Sequence, residues 1–100
     1  MVPYAVPYIK IGLVSKIEKL IETAAASPHS LRFKELCALC RHFGMKLRKT
    51  KGSHRVYKRG DPPRFTLSIQ DNDGMAKPYQ VKQLLDKVRE HGLHDFGEED

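Results

Sequence analysis

The fold of this chain is decided by residues 45–70, which read MKLRKTKGSHRVYKRGDPPRFTLSIQ. Apolar and polar residues alternate here with a period of two, a pattern typical of half-buried β-strands. The alternation forms three runs, whose apolar members are Met45 and Leu47, then Val56, then Phe65, Leu67 and Ile69. Turn residues at Lys51-Gly52 and at Gly60–Pro63 separate the runs. The stretch therefore predicts an antiparallel meander with one face in a core and the other in solvent.

Helical periodicity precedes this stretch. A Ser-x-x-Glu capping box at Ser15 predicts the start of a first helix that ends at Ser27. A second helix is predicted over residues 31–43, and Gly44 is suited to the left-handed cap that ends it. The apolar residues with helical spacing are Ile17, Leu20, Ile21 and Ala24 in the first helix, and Phe33, Leu36, Cys37, Cys40 and Phe43 in the second, with Leu39 at the margin.

A last helix follows the strands. Asp71–Gly74 has the composition of a loop, Pro78 suits a first helical turn, and Gly92 is a natural stop. Its inner stripe consists of Val81, Leu84, Leu85 and Val88. The predicted fold class is therefore α+β. An α-β-β-β-α unit, with an extra N-terminal helix, places its helices on one face of a three-stranded antiparallel sheet.

One domain is predicted, over residues 15–92. Residues 1–14 lack clean periodicity and form an N-terminal arm, while residues 93–100 form an acidic tail that we expect to be disordered. The apolar part of the arm is interrupted by prolines and a lysine and is too short to span a bilayer, which needs about 20 apolar residues. It also lacks the features of a secretory signal, so we expect a cytoplasmic protein without membrane contact.

The two cysteines do not indicate a metal site. Cys37 and Cys40 lie three apart in a predicted helix, which suits a disulfide badly. A structural zinc site needs four ligands, and no second cysteine pair is present. We expect two half-buried helix residues, no metal and no cofactor.

Positive charge is concentrated in one segment. The chain has a net charge of +6, but residues 45–64 alone carry eight basic residues against the single acid Asp61. The eight are Lys46, Arg48, Lys49, Lys51, Arg55, Lys58, Arg59 and Arg64. Such a concentration is the electrostatic footprint of a polyanion partner, although a merely lysine-rich solvated sheet has the same composition.

His54 is the best candidate for chemistry. An imidazole with a reference pKa of about 6.5 exchanges protons near neutrality, and His54 directly follows a glycine turn in the most cationic part of the chain. RNA supplies its own nucleophile, the 2′-OH, so one histidine with nearby cations can cleave it without a metal. Taking Val56 as the inner residue of its strand, we expect His54 to face the helices at the mouth of a groove. A strand-end histidine that only hydrogen-bonds a helix end remains the alternative.

The residues around this histidine suit a phosphodiester. Lys49, Lys51 and Arg55 are predicted to hold phosphate, while Gly52 allows close backbone approach and Ser53 offers a hydroxyl and an amide. Two further candidates for RNA binding are Lys58 and Tyr57. Tyr57 could stack on an unpaired base, and cross-strand packing explains it equally well.

Four segments together resemble the HicA-type toxins of bacterial type II toxin–antitoxin systems. They are Phe33–Leu36, His42–Gly44, Arg48–Tyr57 and Lys77–Leu85, within a likeness over residues 15–92. The resemblance implies a fold related to double-stranded-RNA-binding domains and mRNA endoribonuclease activity. It also implies that His54 is the required histidine, with Gly52 and Ser53 as its supporting turn, and that a HicB-type antitoxin is the partner.

Two other functions fit the same residues. A non-catalytic RNA-binding module would use the same basic sheet without cutting its ligand. A protein-interaction domain would use the basic face only for an acidic partner. The predicted function is nevertheless a metal-independent endoribonuclease that acts on mRNA.

Overall fold

The elements follow one another in the predicted order. In a computed structural model of the chain, the structure describes the backbone of residues 5–96 and the side chains of residues 16–96. The helices are α1 (Ala5–Ala26), α2 (Phe33–His42) and α3 (Pro78–Glu90), with a short 3₁₀ helix at Pro28–Ser30. The strands are β1 (Met45–Lys51), β2 (His54–Arg59), β3 (Phe65–Asn72) and β4 (Met75–Ala76). The α+β prediction is confirmed, including the additional N-terminal helix.

The sheet has four antiparallel strands in the order β1-β2-β3-β4, one more than predicted. The predicted loop at Asp71–Gly74 is reduced to the turn Asp73-Gly74, because β3 continues to Asn72 and the chain turns back into β4. Asp73 and Gly74 have φ angles of 53° and 87°, which is the conformation of a two-residue hairpin turn. The Asp71 carboxylate also accepts a hydrogen bond from the Gly74 amide at 2.7 Å.

Helix α1 begins at Ala5, ten residues before the predicted capping box. Ser15 therefore lies inside a helix and is not its N-cap, so this prediction is wrong. Pro7 occupies the first turn, where a residue without an N–H is tolerated because no helical acceptor precedes it. Only residues 1–4 of the predicted arm and 97–100 of the predicted tail lie outside the described residues.

The core lies between the helices and one face of the sheet. The predicted inner stripes of α2 and α3 are confirmed, and Leu39, predicted at the margin of α2, is fully buried. From α1, Ile21 and Ala24 are buried, while Ile17 and Leu20 pack against the core in part. Helix α1 contacts both α2 and α3, and these two helices contact the strands. Burying these apolar surfaces is the main stabilising contribution to the fold.

Strand β2 buries Tyr57 against the helices, not Val56. Tyr57 pairs with Leu67 of β3, and both side chains are buried. Because successive residues of a strand point to opposite faces, Val56 and His54 lie on the face away from the helices. The prediction that His54 faces the helices is therefore wrong. The larger apolar surface of the tyrosine ring favours its burial over that of valine.

A β-bulge in β1 changes which side chains reach each face. Leu47 pairs with Tyr57 and Lys49 pairs with Val56, so that Arg48 is the extra residue. Without the bulge, Lys49 would share the face of Leu47. With it, Lys49 lies on the same face as Val56, away from the core.

Candidate functional site

The sheet face that points away from the helices, here called the open face, collects the lysines of β1 and β2. Lys46 pairs with Lys58, Lys49 with Val56, and Lys51 with His54. Cross-strand partners point to the same side, so one face carries a set of four lysines, here called the lysine face: Lys46, Lys49, Lys51 and Lys58. None of the four forms a salt bridge with another described residue.

The pairing of Lys46 with Lys58 is unfavourable for folding. Like charges directly opposite each other on neighbouring strands destabilise a sheet by a few tenths of a kcal/mol to about 1 kcal/mol. An anion bound between the two ammonium groups would remove that repulsion. The arrangement of the lysine face therefore favours a polyanionic ligand over plain solvation.

The turn Gly52-Ser53 presents His54 at the border of the lysine face. Gly52 has a φ of +58°, and a Cβ atom built on it would meet no other atom within 4 Å. The Ser53 carbonyl accepts a hydrogen bond from the Asp71 amide at 2.9 Å, and the Ser53 hydroxyl accepts one from Gln70 Nε2 at 3.3 Å. These bonds tie the turn to β3, while the His54 side chain remains exposed.

A groove of about 630 Å³ begins at His54 and runs between β3 and α3. Thr66 and Ser68 line its sheet side. Tyr79 and Gln83 belong to its helix side. His54 thus lines a groove beside α3, but it approaches this helix from the open face and across β3.

Two predicted site residues lie on the other face of the sheet. The Arg55 guanidinium lies over the Phe33 ring, 5.4 Å from the ring centre, on the helix side. Tyr57 is 3% exposed, so it packs in the core and cannot stack on a base. The structure brings Lys49, Lys51 and His54 together and separates Arg55 and Tyr57 from them.

Residues 33–92 match the model of the HicA toxin family of bacterial toxin–antitoxin systems. The chain belongs to this family. The predicted family is thereby confirmed, and membership implies a toxin–antitoxin partner. Comparisons with curated proteins and with solved structures found no match.

The matched segment begins at α2 and includes the sheet, the groove and α3 of this HicA toxin. Helix α1 lies before the match, although its buried residues belong to the same core. The lysine face and His54 are therefore built on the part that defines the family.

Sequence reasoning missed the contribution of α3 to the site of this HicA toxin. Gln80 is 4% exposed, and its Oε1 atom accepts a hydrogen bond from the Gln70 amide at 2.8 Å. Its Nε2 atom donates a hydrogen bond to the Tyr79 hydroxyl at 3.2 Å. The sequence contained a signal for this, because Gln80 lies four residues before Leu84 and therefore on the same face of the helix. A polar side chain on a buried face needs hydrogen-bond partners there.

The cysteines of this HicA toxin are placed for packing. Both are free thiols buried in α2, and burial raises the pKa of Cys40 to about 12. A thiol with so high a pKa is a poor nucleophile and a poor metal ligand at neutral pH. Among the described residues, no three His, Cys, Asp or Glu side chains are grouped as metal ligands, and no helix is long and apolar enough to cross a membrane.

Proposed function

We propose that this HicA toxin is a metal-independent mRNA endoribonuclease in which His54 is the acid–base catalyst. The observation that carries the proposal is the position of His54. It is exposed, it is paired with Lys51, and it lies where the lysine face meets the groove. A phosphodiester attracted to the lysines is thereby brought next to an imidazole.

The proposed reaction needs only groups of the RNA and of the protein. His54 accepts the proton of the 2′-OH, whose oxygen forms a bond to the adjacent phosphorus. The bond from phosphorus to the 5′ oxygen breaks, and that oxygen takes a proton from the imidazolium or from water. Lys49 and Lys51 stabilise the negative charge of the phosphorane. The products are a 2′,3′-cyclic phosphate and a free 5′-hydroxyl, and DNA does not react because it has no 2′-OH.

Gly52 and Ser53 support this reaction at the turn. The exposed backbone at Gly52 leaves room for a ribose or phosphate to approach. The bonds of Ser53 to β3 fix the position from which His54 projects. Lys58 lies four residues from His54, about 13 Å along the strand, and therefore serves a neighbouring phosphate.

The test compares cleavage of a defined mRNA in EDTA by the wild type, His54→Ala and His29→Ala. His29 is an exposed histidine in the 3₁₀ helix, outside the groove, and so controls for loss of an imidazole. We expect His54→Ala to cleave about 10²- to 10⁴-fold more slowly and His29→Ala to match the wild type. Equal cleavage by wild type and His54→Ala, or no cleavage by wild type, would contradict the proposal.

A non-catalytic RNA-binding module is the second candidate, and the extent of the lysine face favours it. Lys46 and Lys58 lie too far from His54 to act on the same phosphodiester, so part of the face serves binding alone. In this case the wild type would bind RNA in a salt-sensitive way and release it uncut. His54→Ala would then leave the affinity nearly unchanged.

The partner we propose is a HicB-type antitoxin acting with the toxin in the cytoplasm. An acidic antitoxin surface would cover the lysine face and compete with RNA for it. Co-expression and co-purification with the adjacent reading frame would test this. Binding that persists unchanged after substitution of Lys46 and Lys58 by glutamate would place the interface elsewhere.

A further inference from the structure

We infer that the groove between His54 and α3 is a nucleobase subsite in which Tyr79 is the stacking platform. The inference rests on the proposed function for its ligand, an RNA chain. Tyr79 is a large aromatic residue that is 55% exposed, and it lines the groove that begins at His54. An exposed tyrosine ring beside a phosphate-binding face is the element that unpaired bases use for stacking.

The Tyr79 ring is held in a fixed relation to the catalytic turn. Its hydroxyl accepts a hydrogen bond from Gln80, whose other amide atom accepts one from the Gln70 backbone. Gln70 pairs with His54 across the sheet, and its side chain donates to the Ser53 hydroxyl. A continuous series of hydrogen bonds thus connects the ring on α3 with the turn that presents the imidazole.

The burial of Gln80 explains why this connection is maintained. At 4% exposure, its amide could not exchange these protein partners for bulk water. An unsatisfied buried amide costs about 1–3 kcal/mol. Gln80 therefore orients the ring through a buried amide.

The charges around the groove select the base over the phosphate. Asp86 and Glu90 line the helix side, and their carboxylates repel a phosphodiester. Lys87 lies 3.7 Å from Glu90 and offsets part of that charge. The backbone of the RNA is thereby restricted to the lysine face, while its neutral base can enter the groove.

The size and polarity of the groove also fit a base. Its volume of about 630 Å³ is within the range of about 300–1,000 Å³ that is typical of small-ligand sites. The hydroxyls of Thr66 and Ser68 and the amide of Gln83 provide hydrogen-bond donors and acceptors for base edges. An exposed ring on the helix side, with polar groups on both sides of the groove, forms a site for one flat, polar heterocycle.

The first test measures stacking without cleavage. RNA oligonucleotides carrying 2-aminopurine at successive positions are bound to His54→Ala, which keeps the RNA intact if the proposed catalysis is correct. Stacking on a ring quenches 2-aminopurine fluorescence, so we expect quenching at one position. Adding Tyr79→Leu should abolish it, and adding Tyr79→Phe should retain most of it, because phenylalanine keeps the ring. Equal quenching with leucine and phenylalanine would overturn the inference.

The second test uses affinity and an abasic RNA. Loss of stacking on one base typically weakens binding by about 5- to 150-fold, and we expect a loss in this range for Tyr79→Leu. Removing the base at the quenched position should weaken wild-type binding similarly and leave Tyr79→Leu with no further loss. If the losses of affinity from the abasic RNA and from Tyr79→Leu add up in the combination of the two, the base does not stack on Tyr79 and the inference is overturned. Ring-dependent quenching in a protein that never cuts RNA would refute the proposed function and leave the subsite intact.

Discussion

Replacing one lysine of the lysine face should reduce the salt dependence of RNA binding, whereas replacing Arg55 should not. Each single-strand phosphate neutralised by a cation contributes about −0.7 to the slope of log affinity against log salt. If all four lysines contact phosphates, the slope is about −3, and raising the salt about fourfold weakens binding about 50-fold. Lys49→Ala should change the slope to about −2. Arg55→Ala removes the same charge from the other face and should leave it near −3.

The assay is fluorescence anisotropy with a short unstructured RNA at several salt concentrations, in a His54→Ala background. Arg55→Ala also removes a cation–π contact with Phe33, worth about 0.5–1 kcal/mol of stability, so both variants are first checked for folding by circular dichroism. A slope that falls equally in both variants would refute the assignment of RNA to the open face. A wild-type slope near zero would exclude phosphate contacts by the lysines altogether.

Three further predictions concern stability and the thiols, each measured by urea unfolding. Arg59→Ala should lower the free energy of unfolding by about 2–3 kcal/mol, because the Arg59 guanidinium donates hydrogen bonds to three backbone carbonyls. The control Arg64→Ala removes one such bond from an exposed side chain and should lower the free energy of unfolding by less than about 1 kcal/mol. Gly44→Ala should lower the free energy of unfolding by about 1–2 kcal/mol, since the φ of Gly44 is +86° and the added Cβ would lie 3.3 Å from the Arg59 side chain. Gly52→Ala should lower it by less, because no atom lies within 4 Å of the added Cβ. The pKa of Cys40 is about 12 in the folded state against 9.0 ordinarily, so stability should be constant below pH 9 and fall as the pH rises from 9 toward 12. Cys40→Ala should reduce that fall, while Tyr57, whose pKa is also raised by burial, retains part of it, and persistence of the full slope would contradict the assignment.

The element order could be predicted because periodicity and turn residues agreed along most of the chain. The strands from Met45 to Ile69 and the stripe from Val81 to Val88 are reproduced by the structure. The end of α2 was also predictable, because Gly44 adopts a φ of +86° that other residues rarely adopt. The hairpin at Asp73-Gly74 was not, because β4 has only two residues and carries too little alternation to be recognised.

The faces of the sheet were harder to predict than its strands. In β2, a valine and a tyrosine are neighbours, and either could have been the inner residue from sequence alone. In β1, simple alternation would place Lys49 on the side of Met45, and only the bulge at Arg48 reverses this. Bulges depend on the partner strand, so a single strand's sequence does not reveal them.

The bulge connects the fold to the function we propose. Both Lys49 and Lys51 follow it, so if Arg48 instead took a regular paired position in β1, both lysines would point toward the helices and His54 would be left without a paired lysine. The lysine face, the turn at Gly52 and the imidazole therefore share one side of the sheet because Arg48 is accommodated as a bulge. For that reason the geometry of β1, as much as the identity of its lysines, sets which face can act on a polyanion.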